Sequence, residues 1–137
     1  MEIKIPQNSI RKLKSLGVGV VYLFGSEAQG TTHFDSDINI GVVFLDPAKL
    51  EDTGRRLKLY NELDDIFTEA IPYRHIDTVL LQTTSLSLQY EAIRPGKVIY
   101  ETSPEFRGNY EEALTKFYLD FKPLLDIQHR AVLERIK

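Results

Sequence analysis

Two periods of apolar spacing organise this 137-residue chain. Ile10, Leu13 and Leu16 recur at helical spacing, predicting a short helix capped by Asn8 or Ser9 and ended by Gly17. Val18 to Phe24 is mostly β-branched and aromatic, the composition of a buried strand, and Gly25-Ser26 breaks it. Thr31 to Ser36 is a polar loop, and Asp37 to Phe44 reads as a second strand. Asp46-Pro47 pairs an N-cap with a proline suited to the first helical position. A helical stretch follows, with an interruption expected at Gly54. Its second part sets Leu57, Tyr60, Leu63, Ile66 and Phe67 on one face. His75 to Gln82 is a third strand. Ser85 to Ile93 is a short helix stopped near Arg94-Pro95-Gly96, and Lys97 to Tyr100 is a fourth strand. Ser103-Pro104 opens a last helix towards the C-terminus, with a kink expected at Pro123.

This order predicts an α/β (α+β) domain, a small mixed sheet flanked by helices. Residues 1–137 form one domain, with about 103–137 as a C-terminal helical tail. No internal repeat or linker interrupts it. The absence of cysteine excludes disulfides and thiolate metal sites. A net charge of −3 argues against a broad, sequence-blind grip on nucleic acid, which needs surplus Lys and Arg, so no direct nucleic-acid binding is expected. The N-terminal residues lack the apolar core of a secretory signal, and no apolar run is long enough to span a membrane. A cytoplasmic protein is the expectation.

The chemistry concentrates between Leu23 and Ile40. A strand ending in Gly25-Ser26 and followed by a short helical turn presents backbone N–H groups and a hydroxyl together, and Gly25 lets a phosphate approach the backbone. Taken alone, the pair reads first as a turn with a helix cap. Asp37 and Asn39 stand two apart in a strand, so both point to one face and their oxygens can converge on a cation, while Ile38 and Ile40 face the core. Magnesium on a triphosphate is held by one or two carboxylates plus phosphate oxygens. Asp77, in the third strand, could add a further acid.

Gly-Ser, ten residues, Asp-x-Asn and then a distant acid in a β-rich run resembles the minimal nucleotidyltransferases of the DNA-polymerase-β superfamily. Their pattern is Gly-Ser, a spacer, Asp-x-Asp and a third Asp. The likeness continues through Tyr90 to Glu101, which looks like the helix, turn and strand those proteins carry after the third acid. Phe117 to Leu125 and Leu133-Glu134-Arg135 resemble the tail of the MntA-type antitoxins, partners of HEPN ribonuclease toxins. The resemblance implies a polymerase-β-like nucleotidyltransferase fold and a hetero-oligomer with a HEPN toxin. It further implies transfer of AMP from ATP to a toxin tyrosine. Gly25 and Ser26 would hold the triphosphate, Asp37, Asn39 and Asp77 would bind Mg²⁺, and Asp77 would activate the acceptor hydroxyl.

Three positions depart from that pattern. Asn39 stands where relatives carry Asp, so one metal ligand loses its charge and weak Mg²⁺ binding is expected. Glu27 and Gln29 stand where the turn usually carries arginines, and Gly41 suggests open space beside the site. A catalytically degenerate antitoxin that neutralises by binding alone is therefore the alternative, and a small-molecule nucleotidyltransferase a more distant one. Elsewhere, His33 reads as a loop histidine, and His75 and His129 as a weak zinc case. Arg55, Arg56 and Lys58 read as a solvated face, and Glu111-Glu112 as partners of a helix dipole. Leu114, Phe117, Phe121, Leu124, Leu125 and Val132 form an apolar stripe on the tail, with Tyr110 and Tyr118 nearby. Part of that set exceeds what a short domain can cover and is expected to meet a partner.

Overall fold

The computed structural model describes residues 3–25, 37–72 and 74–136, with backbone alone at position 136. Four strands, β1 (Val18–Phe24), β2 (Ile38–Phe44), β3 (Ile76–Leu80) and β4 (Lys97–Glu101), make one sheet in the order β3-β2-β1-β4. β1 is antiparallel to both β2 and β4, while β2 and β3 are parallel. Parallel neighbours need a long crossover, supplied by a 3₁₀ turn at Pro47–Leu50 and helix α2 (Thr53–Ala70). Helix α1 (Gln7–Ser15) precedes β1, α3 (Leu86–Ile93) lies between β3 and β4, and α4 (Pro104–Ile136) closes the chain.

Alternation along the strands loads both faces of the sheet. Val18, Val21, Leu23, Ile38, Ile40, Val42, Phe44, Ile76 and Leu80 pack against Leu13 of α1 and Leu59, Leu63, Ile66 and Phe67 of α2. Val20, Tyr22, Phe24 and Val43 pack on the opposite face with Leu81 and Ala92, joined by the half-buried Leu88, Ile93, Phe106 and Tyr110 of α3 and α4. A fully buried side chain of this size contributes about 1.5–3 kcal/mol, so the two layers hold the central strands from both sides.

Several local expectations change. Pro6, not Asn8 or Ser9, occupies the N-cap of α1, without a side-chain cap; Ser9 is buried inside the helix. Gly17 does end that helix, at φ 81°. The interruption before α2 falls at residues 51–52. Asp52 caps the helix by accepting the Arg55 N–H at 2.8 Å, and Gly54 sits in its first turn. Leu57, expected in the core, is 60% exposed, and Leu59 takes the buried position. β3 stops at Leu80, where the chain turns into a 3₁₀ helix at Leu81–Thr83, and Gln82 completes the edge with its side chain. Its amide accepts from Phe44 N–H at 2.8 Å and donates to Phe44 C=O at 3.1 Å, as a neighbouring strand would. α4 remains helical through Pro123, whose ring supplies no N–H to the preceding turn.

Candidate active site

Strand directions gather the chemistry at one end of the sheet. β1 finishes there, and β2, β3 and β4 begin there. The register pairs Phe24 with Asn39 and Asn39 with Asp77, so Asn39 and Asp77 share the face that also carries Phe24, Val43 and Leu81. Asp37 immediately precedes β2, two residues from Asn39 and on the same side. The structure thus brings Asp37, Asn39 and Asp77 to one end and one face. Gly25, just past β1, has φ 79°. The positive φ favours glycine here, and a Cβ would lie 2.6 Å from Asn39 Nδ2, so the amide would have to shift. Ser26 lies outside the described residues, as do Glu27, Gln29, His33 and Asp35.

His75 joins this group. Its Nδ1 lies 3.1 Å from Asp37 Oδ1, and its carbonyl accepts the Ile38 N–H at 2.8 Å. Spacing contained the signal: His75 precedes Asp77 by two residues, as Asp37 precedes Asn39. Any parallel register that sets residue 39 opposite residue 77 therefore sets 37 opposite 75. Both partners are well exposed, 77% for His75 and 58% for Asp37, so the contact is a weak surface interaction that a ligand can displace. Among the described residues, no group of three or more His, Cys, Asp or Glu side chains is assembled to hold a metal ion. The oxygen donors of Asp37, Asn39 and Asp77 nevertheless match the chemistry of a hard cation such as Mg²⁺.

The space expected beside Gly41 is filled. A Cβ at that position would meet Leu81 Cδ1 at 2.8 Å, so the missing side chain accommodates a core leucine rather than a ligand. A groove of about 450 Å³ runs along α2 and the edge of β3, lined by Thr53, Arg56, Leu57, Tyr60, Thr78 and Thr83. It lies on the α2 side of the sheet, away from the face of Asn39 and Asp77.

α4 carries two kinds of side chain. In its first turns Leu114 is buried and Tyr110 donates to Gln89 Oε1 at 2.8 Å, while Tyr118 stacks on Tyr90 with centroids 3.9 Å apart. Tyr110 and Tyr118 thus serve the domain itself. Glu111 does more than complement a dipole. It accepts the Tyr22 hydroxyl at 2.8 Å, and Arg107 bridges it to Glu101. Burial, then the Glu111 hydrogen bond, pushes the Tyr22 phenol far above its ordinary value; burial does the same to Tyr110. Farther along, Phe117, Phe121, Leu124 and Val132 are all about half exposed, with Leu119, Ile127 and Leu133 beside them. Among the described residues no helix is long and apolar enough to cross a membrane.

A short mixed sheet with an acid-bearing parallel pair and a glycine at the adjoining strand end defines a nucleotidyltransferase domain. Residues 7–105 match the family described as polymerase beta, nucleotidyltransferase, and the chain belongs to that family. It is 32% identical over 106 residues to the protein adenylyltransferase MntA of Shewanella oneidensis; the match covers 75% of this chain and 65% of that protein. Among solved structures it is similar to a toxin–antitoxin crystallised with AMP-PNP, at 26% identity and a TM-score of 0.63, covering 94% of this chain and 96% of that one. It is also similar to a tyrosine-to-alanine mutant of the toxin–antitoxin MntA-HpeT, at 25% identity and a TM-score of 0.65, covering 97% and 98%.

Proposed function

We propose that this chain is a nucleotidyltransferase-type antitoxin that binds a HEPN toxin and transfers AMP from ATP to a tyrosine of that toxin. The observation that carries the reading is the register setting Gly25, Asn39 and Asp77 side by side at one sheet end. The adenylyltransferase relative and the toxin–antitoxin structures support it. Gly25 and Ser26 admit the triphosphate to the backbone. Asp37, Asn39 and Asp77 would hold Mg²⁺, which when bound neutralises charge on the phosphates. Asp77 takes the proton from the tyrosine hydroxyl. The phenolic oxygen forms a bond to the α-phosphorus of ATP, and the bond from that phosphorus to the bridging oxygen breaks, releasing pyrophosphate. Transfer of this type depends on positioning and charge neutralisation, so the neutral Asn39 favours slow turnover. The exposed apolar residues of α4 from Phe117 onward support a partner-binding surface and a hetero-oligomer with the toxin.

The second reading keeps the fold and partner but dispenses with transfer, and Asn39 is the residue that favours it. Mass spectrometry of the toxin after incubation with ATP, Mg²⁺ and this chain separates the two. Added AMP that disappears in Asp37→Ala, and increases in Asn39→Asp, supports transfer. Full neutralisation without added AMP, in the native chain and in Asn39→Asp alike, refutes it and leaves binding alone.

A further inference from the structure

We propose that Arg94 is the cation that receives the phosphate chain of the nucleotide, on the opposite side of Gly25 from the acids; this rests on the nucleotide-binding part of the reading above. The sheet order lays the strand ends in a row: Asp77 on β3, Asn39 on β2, Gly25 after β1, and the start of β4. Adjacent strands lie about 4.8 Å apart, so the row spans about 14 Å. Its β3 and β2 side is acidic, its centre is bare backbone, and its far side receives the end of α3. Lys97, the first residue of β4, pairs with Leu23. Just before it, the Gly96 backbone is so close that an added Cβ would come within 3.4 Å of the Leu23 carbonyl oxygen. Arg94 therefore stands beside the last residues of β1.

It also stands on the correct face. α3 packs on the layer containing Phe24, Val43 and Leu81, the face of Asn39 and Asp77, through Ala92 and Ile93. Lys97 pairs instead with Leu23, which faces the α1 and α2 layer. The Arg94 guanidinium is held, with its carbon 5.6 Å from the Tyr90 ring centroid, and Tyr90 is in turn stacked on Tyr118 with ring planes 10° apart. A cation over an aromatic face is restrained without losing its charge or its donors. No ion pair occupies Arg94 among the described residues. A triphosphate needs such a group, because Glu27 and Gln29 bring no positive charge to the sequence after Gly25, and guanidinium binds phosphate oxygens through paired N–H donors.

A cation at the end of α3 also complements the helix dipole, a role that would affect stability but not discriminate among nucleotides. The test is titration calorimetry of ATP, ADP and AMP with Mg²⁺ on the native chain, Arg94→Gln, Arg94→Lys and Lys97→Gln, with circular dichroism on each. Loss of charge-assisted hydrogen bonds predicts about tenfold weaker ATP binding in Arg94→Gln, an effect that shrinks from ATP to AMP. Arg94→Lys should recover part of it, and Lys97→Gln should match the native chain. ATP bound equally by native and Arg94→Gln chains overturns the role of Arg94 and leaves the nucleotide reading intact. A uniform loss across ATP, ADP and AMP also overturns it. A native chain that binds none of the three overturns the nucleotide reading and this inference together.

Discussion

Replacing Tyr22 by Phe removes one hydroxyl from the middle of the sheet and tests how the site-bearing strand is tied to the last helix. Tyr22 is fully buried on β1, and its hydroxyl donates to Glu111 Oε1 at 2.8 Å. A hydrogen bond to a charged acceptor contributes about 1.5–3 kcal/mol. Glu111 is 29% exposed and keeps Arg107 at 3.6 Å, so the lower end applies, about 1.5 kcal/mol. Unfolding entropy near 2.1 cal/mol/K per residue, over 137 residues, converts that loss to a fall in Tm of about 5 °C. The same phenol has a second signature. Its pKa is raised in the folded chain by burial and by Glu111, so the unfolded chain gives up this proton first, near pH 10. Above that pH the unfolded state binds fewer protons than the native state. Stability is then lost as pH rises, by up to about 1.4 kcal/mol per pH unit for this one group. Tyr110 adds a similar slope. Urea titrations at pH 7, 9 and 10.5 should therefore show Tyr22→Phe less stable at pH 7 but less steeply weakened above pH 10. Equal stability at pH 7 together with an unchanged alkaline slope would refute the assigned hydrogen bond.

Other substitutions probe the site and the surface. Gly25→Ala forces a left-handed φ on an L-residue and pushes on Asn39; it should cost about 1–2 kcal/mol in urea titrations and weaken Mg²⁺–ATP binding more than Gly54→Ala does. Leu81→Ala should cost about 2–5 kcal/mol and Gly41→Ala about 1–3 kcal/mol, yet the double variant should cost less than their sum, because Leu81 fills the space Gly41 leaves; strict additivity in thermal melts would disprove that packing. Phe117→Ala with Phe121→Ala should leave the urea midpoint nearly unchanged, since both rings are about half exposed, but should weaken the toxin complex in calorimetry by more than about 1 kcal/mol per ring. Asn39→Asp should tighten Mg²⁺–ATP binding by restoring a charge, and equal affinity would remove residue 39 from the ligand set.

Strand β1 was legible to the residue because its β-branched run ends in a glycine that must adopt positive φ. The shared face of Asp37 and Asn39 was legible because period two needs only one strand. What depends on two elements was not. The Asp37–His75 contact follows from the parallel register of β2 and β3, and the matching spacings of 37/39 and 75/77 reveal it only once that pairing is assumed. Leu57 and Leu59 are both leucines on one helix, and only the angle at which α2 meets the sheet decides which is buried. Gln82 extends the sheet edge through a side-chain amide, which propensity reads as one more strand residue. The vacancy at Gly41 is local in sequence, but the Leu81 that fills it lies forty residues away.

The same contrast bears on how chemistry and binding divide in this fold. Asp37, Asn39 and Asp77 sit at the edge of a rigid two-sided core, where position is set by strand register and survives loss of a charge. Nothing in the backbone register of β2 requires a carboxylate at residue 39, whose side chain lies beside Gly25. The apolar residues of α4 beyond Phe117 contribute nothing to either core layer. A substitution at Asn39 can therefore alter metal affinity without disturbing the surface a partner would cover, and loss of that surface need not alter the site. One physical link joins the two regions. Tyr118 on α4 stacks on Tyr90, and Tyr90 carries Arg94. If a bound partner shifts α4, Arg94 is the site residue that feels it first, so ATP affinity measured with and without toxin should differ in the native chain and differ less in Arg94→Gln.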